Sequence, residues 1–344
     1  MAYTTIDKPS DYFETILWSS VDTSITGLDF QPDWVWIKSR TNADTHVLFD
    51  SVRGTGKRLS SSGTTAEQTK TDELTAFNSD GFTIGTGDNV NRASNNYVAW
   101  NWKAGGSASS NSDGSITSTV SANTTSGFSI VTWTAGSGVG SIGHGLGVAP
   151  SMIIVKGRST AIGWVTGLKS NGWNNYLQLQ SSNANNNDQR MFTPSGESDP
   201  TSTVWYQDHA ALGSSGDTMV GYVFAEKKGY SKFGSFTGNS NADGTFVFCG
   251  FRPAWILVRN VEISEGFWVI NDNKRNTFNP NSNTLVAQNN NSVDAGTDRT
   301  DFLSNGFKLR TTSGSWNGSG NKIIYMAFAE SPLVNSNGVP NNAR

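Results

Sequence analysis

The chain runs to 344 residues with a formal net charge of −3, and only 15% of its residues are charged, against roughly 25% in ordinary globular proteins. That balance, with no local basic cluster, excludes the electrostatic footprint of a nucleic-acid or anionic-membrane binder. A single cysteine, Cys249, excludes an internal disulfide framework and a cysteine-only metal site.

The N-terminal stretch has neither a basic n-region nor an apolar h-region, so no signal peptide is expected. No apolar run approaches the ~18 residues of a membrane span, and a soluble product without membrane insertion is expected. The first predicted strand, residues 13–18, ends in aromatics. Residues 30–40 then read as a turn closed by Pro32, a run of large β-formers from Trp34 to Ile37, and the basic Lys38. Proline belongs at the mouth of a strand, and an apolar run behind it marks a strand buried on both faces. Residues 46–49 form a further apolar strand. Residues 64–74 are the one stretch with the composition of a short helix. A Ser-Asp-Gly turn at 79–81 enters another strand, and residues 97–103 (YVAWNWK) close the unit.

The same series returns twice. Residues 128–133, Pro150, Met152 to Lys156, residues 163–166 and the strand from Tyr222 make a second unit. Residues 233–236, Pro253, Trp255 to Arg259, residues 266–270, a Ser-Asn-Gly turn at 304–306 and the strand from Tyr325 make a third. The second departs at residues 204–207, where another loop is expected. From proline to tyrosine the separations are 65, 72 and 72 residues. The expected architecture is all-β, with three tandem β-sandwich modules at 1–104, 127–228 and 229–333. Residues 105–126, rich in Gly, Ser and Thr, read as a linker in which 115–120 alternate well enough for one edge strand, and 334–344 as a mobile polar tail. Units two and three are expected to pack rigidly and unit one more loosely.

Chemistry is sparse. His46, His144 and His209 share no metal-ligand spacing, and no metal or cofactor is expected. Cys249, in an apolar run, reads as a buried inert thiol. Residues 239–244 imitate the start of a calcium loop, but Gly250 stands where a bidentate glutamate is needed. Glu226 and Glu330 occupy equivalent strands, so they report the repeat and not an acid–base pair. Without a carboxylate pair, triad or metal site, no enzymatic activity is expected. Trp34, Trp36, Trp255 and Trp268 read as core. The loop aromatics Trp173 and Trp316, with His144 in its glycine-rich turn, are the candidate ligand-binding residues.

With those residues in view, segments 143–156, 229–238, 272–280, 301–310 and 325–332 are similar to recurring segments of the tandem β-module structural proteins of tailed marine bacteriophages. The resemblance is close over units two and three and looser over unit one. It implies jelly-roll, concanavalin-like sandwiches and a virion component made in the host cytoplasm and displayed on the outer surface of the particle. A tail-fibre-like or other appendage for host attachment is the leading expectation. A capsid-bound decoration or knob protein is the alternative, favoured by the start of unit one within a dozen residues of Met1; a glycan-degrading depolymerase comes third. The partners implied are other virion proteins, further copies of the chain with a trimer favoured, and a host-surface glycan.

Overall fold

The computed structural model describes residues 2–20, 22–194, 196–208, 212–291 and 300–341. The fold is all-β, and among the described residues the helices are single turns such as Asp88–Asn91 and Gly314–Asn317. Residues 64–74 form no helix. Gln68–Thr69 pairs with Lys57–Arg58, and Leu74–Asn78 joins a separate sheet. Eleven polar-rich residues gain too little from propensity alone to close a helix that nothing packs against.

One strand order recurs three times. In unit one the opening strand Phe13–Ser19 pairs with the closing strand Asn96–Trp102, which pairs with the proline strand Trp34–Ser39, which pairs with Val47–Asp50. Unit two repeats this with Phe128–Thr134, Thr218–Phe224, Met152–Gly157 and Val165–Leu168. Unit three repeats it with Ser231–Thr237, Lys322–Pro332, Phe251–Asn260 and Val269–Asp272. Pro32 and Pro150 stand before their strands as expected. Pro253 lies inside its strand, at a register irregularity where a ladder donor can be spared.

Each large sheet turns one face outward onto a small sheet of its own unit. In unit one Val35, Ile37, Val47 and Phe49 pack against Leu74, Phe82 and Ile84. In unit three Ile256, Val258 and Tyr325 pack against Val247, Phe302 and Phe307. In unit two the corresponding sheet pairs Val139–Gly143 with Val204–Asp208, so the departing segment is a strand of this layer.

The opposite faces of the three large sheets meet. Trp34, Trp36, Trp100 and Trp102 of unit one, Phe128, Ile154, Tyr222 and Phe224 of unit two, and Trp255, Leu257, Met326 and Phe328 of unit three form one buried cluster. The rings cross every junction. Trp34 stacks on Tyr222 at 4.4 Å between centroids, Phe13 stacks on Phe328 at 5.0 Å, Trp102 meets Trp255 edge-on at 5.6 Å, and Phe224 meets Phe328 at 6.1 Å. Each large side chain buried there contributes about 1.5–3 kcal/mol. Unit one is therefore joined as firmly as the others, because its inner face has no other apolar surface to cover it.

Three further expectations change. Residues 105–126 are not a linker: Ser109–Asn111 and Ser118–Asn123 extend the large sheet of unit two beyond Phe128–Thr134. The tail folds back through residue 341, with Leu333 N–H donating to Gly250 O at 3.2 Å and Asn341 Nδ2 donating to Ser304 O at 2.9 Å; 342–344 lie outside the described residues. The three recurring tyrosines are also not equivalent. Pairing sets Tyr97 opposite Ser39, Tyr222 opposite Ile154 and Tyr325 opposite Val258. Trp100, Tyr222 and Met326 are the true counterparts, since Trp102, Phe224 and Phe328 pair with Trp34, Met152 and Trp255.

Candidate functional site

The three units contact one another in a cyclic order. Trp164 Nε1 of unit two donates to Ser60 O of unit one at 2.7 Å, and Trp268 Nε1 of unit three donates to Gln178 O of unit two at 3.0 Å. Unit one closes the ring on unit three through Ser61 Oγ, which donates to Ala287 O at 2.6 Å. In the position of the two tryptophans unit one carries His46, whose Nδ1 accepts from Trp36 Nε1 at 2.9 Å. Burial, with Lys38 nearby, pushes that imidazole well below its ordinary range, so it stays neutral in the core.

The junctions differ in polarity. Tyr222 Oη of unit two donates to Asp50 Oδ2 of unit one at 2.7 Å, and the same oxygen holds Arg53 Nε. Arg53 also pairs with Glu67 at 3.1 Å, and Glu67 with Arg158 of unit two at 2.9 Å. Burial alone would lower the Arg53 guanidinium, but Asp50, Tyr222 and Glu67 outweigh it and hold it above its ordinary range. Between units one and three the counterpart is Trp100 Nε1 donating to Asp272 Oδ2 at 3.0 Å, with Arg275 Nε on the same oxygen at 2.5 Å. Between units two and three Leu168 and Met326 take these places, so this position of the junction is apolar, while Arg259 Nη1 donates across the same junction to Ser181 O at 2.6 Å.

At the proline-turn end, among the described residues, two of the three junctions open into clefts. One, of about 270 Å³, separates Glu14 and Thr15 of unit one from Asn273, Lys274 and Glu330 of unit three over a floor containing Phe13 and Ala254. Lys274 Nζ reaches Glu14 at 2.9 Å, Asn273 Nδ2 donates to Glu330 at 2.8 Å, and Arg252 pairs with Glu330 at 3.1 Å. The other, of about 480 Å³, lies between Asp33, Lys103 and Gly105 of unit one and Asn123 and Thr124 of unit two. Burial raises the Asp33 carboxyl against the hydrogen bonds it accepts from Ser51 Oγ and Ala104 N, each at 2.8 Å. The third mouth is filled. Glu226 N donates to Ser151 Oγ at 3.2 Å, Lys232 reaches Glu226 at 3.4 Å, and Thr4 of the N-terminal segment donates to Lys228 O at 2.8 Å. The open clefts thus combine a small apolar floor with neutral donors and acceptors and carboxylates already engaged by cations or amides. Such a lining suits a polar, hydroxylated ligand held by hydrogen bonds.

A run spanning all three units, residues 8–332, matches the family described as a domain of unknown function, DUF7483. The chain belongs to this family. The DUF7483 match crosses both unit boundaries, in keeping with units that share one core. No curated protein matches the chain.

The residues singled out from sequence lie elsewhere in this DUF7483 chain. Trp316 is fully buried in the outer core of unit three, and Trp173 is buried against Phe192 at 5.6 Å. His144 is buried too, its Nε2 at 3.2 Å from Thr201 O. All three side chains are buried, Trp316 within the helical turn Gly314–Asn317, so none of them presents a face to a ligand from solvent. Asp243 of the calcium-like loop is engaged by Lys308 Nζ at 2.6 Å and Arg310 Nη1 at 3.0 Å. Cys249 is buried, and burial pushes its thiol up, out of the reactive range. His209 lies outside the described residues. Glu226 and Glu330 are equivalent by register, one filling a junction mouth and the other lining a cleft. Glu14, Asn273 and Lys274 carried no signal in sequence, because the cleft arises only when unit one closes the ring on unit three.

Proposed function

We propose that the protein is a non-enzymatic structural component of a bacteriophage virion, displayed on the particle and used, as a tail-fibre-like or other appendage, in attachment to the host surface. The finer fold reading belongs to the same proposal: three concanavalin-like, jelly-roll sandwiches in tandem, bound to other virion proteins. The observation that carries it is the fusion of three units around one aromatic core, with two polar clefts at one end. A body of that kind presents fixed binding surfaces with little reorganisation, as a weak, repeated host contact requires. The resemblance of segments such as 143–156 and 301–310 to tandem phage modules is what supports the virion context, and a host-surface glycan is the ligand class that suits the clefts.

The test has two arms. Gold-labelled antibody against the protein should decorate purified virions, and soluble protein added in excess should slow adsorption of unlabelled virions to host cells. Particles free of label would overturn the virion reading. Label on the capsid, with adsorption unchanged, would transfer the assignment to a capsid decoration protein.

A further inference from the structure

The small sheet of unit three leaves an aromatic edge open. Its outermost strand, Phe246–Phe248, pairs on one side only, with Gly306–Leu309. Val247 is buried against the unit's outer core, whereas Phe246 is 43% and Phe248 53% exposed. Thr245 O and Cys249 N bond inward to Leu309 and Asn305. Alternation therefore turns the N–H and C=O groups of Phe246 and Phe248 toward the open side. Among the described residues nothing pairs with them.

The other two units treat the same edge differently. In unit two the strand Val139–Gly143 is covered by the chain's own extended segment: Ile116 N donates to Ser141 O at 3.0 Å, Ser115 N to Ser141 Oγ at 2.8 Å, and Ile116 bridges Ile142. In unit one the edge strand Ser24–Thr26 exposes a serine and a threonine on either side of buried Ile25. Among the described residues unit three has no segment paired to Phe246–Phe248 and no polar edge; the tail and Tyr3 bond only beyond it, at Gly250 O. Residues 244–251 carry no charge, although charge is the usual protection of a bare edge.

We propose that this edge pairs with the same edge of a second copy, making an isologous dimer about a twofold axis at Val247. Antiparallel pairing there sets Phe246 opposite Phe248 of the other copy, twice. Both pairs fall at the positions whose backbone groups face outward, so four hydrogen bonds join two three-stranded sheets into one of six. The two aromatic pairs stack across the seam on the outer face, where both rings are now wet. A second copy fits because the strand is self-complementary about Val247: uncharged, and symmetric in both side-chain size and hydrogen-bonding groups. The dimer does not depend on the virion reading, since it concerns the outer face of unit three and not the clefts.

Sedimentation of the full chain over a range of concentrations, with amide exchange on the same samples, tests this. The wild type should reach a dimer, with the Phe246 and Phe248 amides gaining protection as it forms. Phe248→Glu should weaken the dimer by at least about tenfold through charge at the seam and loss of both aromatic pairs. Phe246→Pro should do the same by removing an outward donor that the inner ladder does not use. Both side chains are exposed, so the melting temperature of each variant's monomer should stay close to wild type, and this separates lost pairing from lost folding. A monomer at every concentration would overturn the proposal and leave the edge to a strand of a different protein. A trimer, or a dimer that survives both substitutions, would overturn it as well.

Discussion

Asp50→Ala puts the strongest demand on the account of how the units are joined. The Arg53 and Asp50 side chains are fully buried. Arg53 has one further carboxylate, that of Glu67 at 3.1 Å, and two carbonyls, Lys57 O at 2.7 Å and Leu48 O at 3.2 Å. Removing the Asp50 carboxylate breaks a fully buried ion pair and leaves the guanidinium with Glu67 as its one carboxylate, at about 3–5 kcal/mol. It also takes away the acceptor of the Tyr222 hydroxyl, which keeps only the bond it accepts from Arg53 Nη2 at 3.3 Å, at about 1–3 kcal/mol. A domain has only about 5–15 kcal/mol of net stability, so the variant should fold poorly or melt far below wild type. Tyr222→Phe removes a single hydroxyl from a charged acceptor and should cost about 1.5–3 kcal/mol. The decisive variant combines Asp50→Leu, Arg53→Met and Tyr222→Phe. It imitates the apolar contact that Leu168 and Met326 already make between units two and three, and it should lie within about 1–3 kcal/mol of wild type, the remaining loss being the residue 53 N–H that no longer donates to Asp50 Oδ1 at 2.8 Å. Urea unfolding followed by tryptophan fluorescence and by circular dichroism measures all three, and the two probes should report one transition for the shared core. The reasoning fails if Asp50→Ala costs less than about 1 kcal/mol, as a surface pair would, or if the triple variant is as damaged as Asp50→Ala.

Lys156 is buried, donating to Thr64 O at 3.1 Å and Gly157 O at 2.9 Å, and burial with Arg53 nearby lowers it to about 8 from 10.5. The unfolded chain then binds more protons between those values, so stability should rise with pH from about 8 toward 10.5; Lys156→Met should abolish that rise in the melting temperature. Because residues 109–111 and 118–123 are sheet strands, proteinase K should not release unit one from the rest as a first event; early cleavage within 105–126 would show the sheet extension to be wrong. Cys249 is buried with its thiol pushed up, so a thiol reagent should modify it only as fast as the protein unfolds, and rapid modification of native protein would contradict its packing.

Much of the fold was legible because its signals are local. Pro32 and Pro150 mark strand mouths, and the apolar runs at 34–37, 152–155 and 255–258 are fully buried strands. What misled was equivalence inferred from letters. Aligning Tyr97 with Tyr222 and Tyr325 ignores the pairing partner, and on a strand an error of an odd number of residues exchanges the faces. Tyr222 accordingly turns to the shared core, whereas Tyr97 and Tyr325 turn to the outer cores of their own units. The residues 105–126 misled in another way. Gly, Ser and Thr are linker residues by composition, yet in an edge strand of a large sheet the backbone does the pairing, and small polar side chains suffice there. The burial of Trp173 and Trp316 is not legible in sequence, because Asn and Gly beside a tryptophan mark a turn without saying which way the ring points.

The cyclic packing explains why the site itself was out of reach of sequence. A buried two-faced sheet says that its inner face needs a cover, but not whose. Here each unit covers the next, and the ring closes only because unit one, first in the chain, meets unit three, last in the chain, through Phe13 on Phe328 and Trp100 on Asp272. At the proline-turn end the junction between units two and three is spanned by the short connection through residues 227–231 and by the N-terminal segment, whose Thr4 donates to Lys228 O. Unit three meets unit one there through side-chain contacts such as Lys274 on Glu14 at 2.9 Å, and the longer path from unit one to unit two runs out through the added strands. The two open clefts therefore fall where the chain is not obliged to fill the mouth. Lengthening the two-to-three connection with glycines should open a third cleft at Glu226 and Ser151, with small loss of stability because loop entropy grows slowly with length. Increased exchange at the Glu226 amide with the Phe246–Phe248 edge unchanged would support this, and global loosening of the core would show that the short connection holds the ring together.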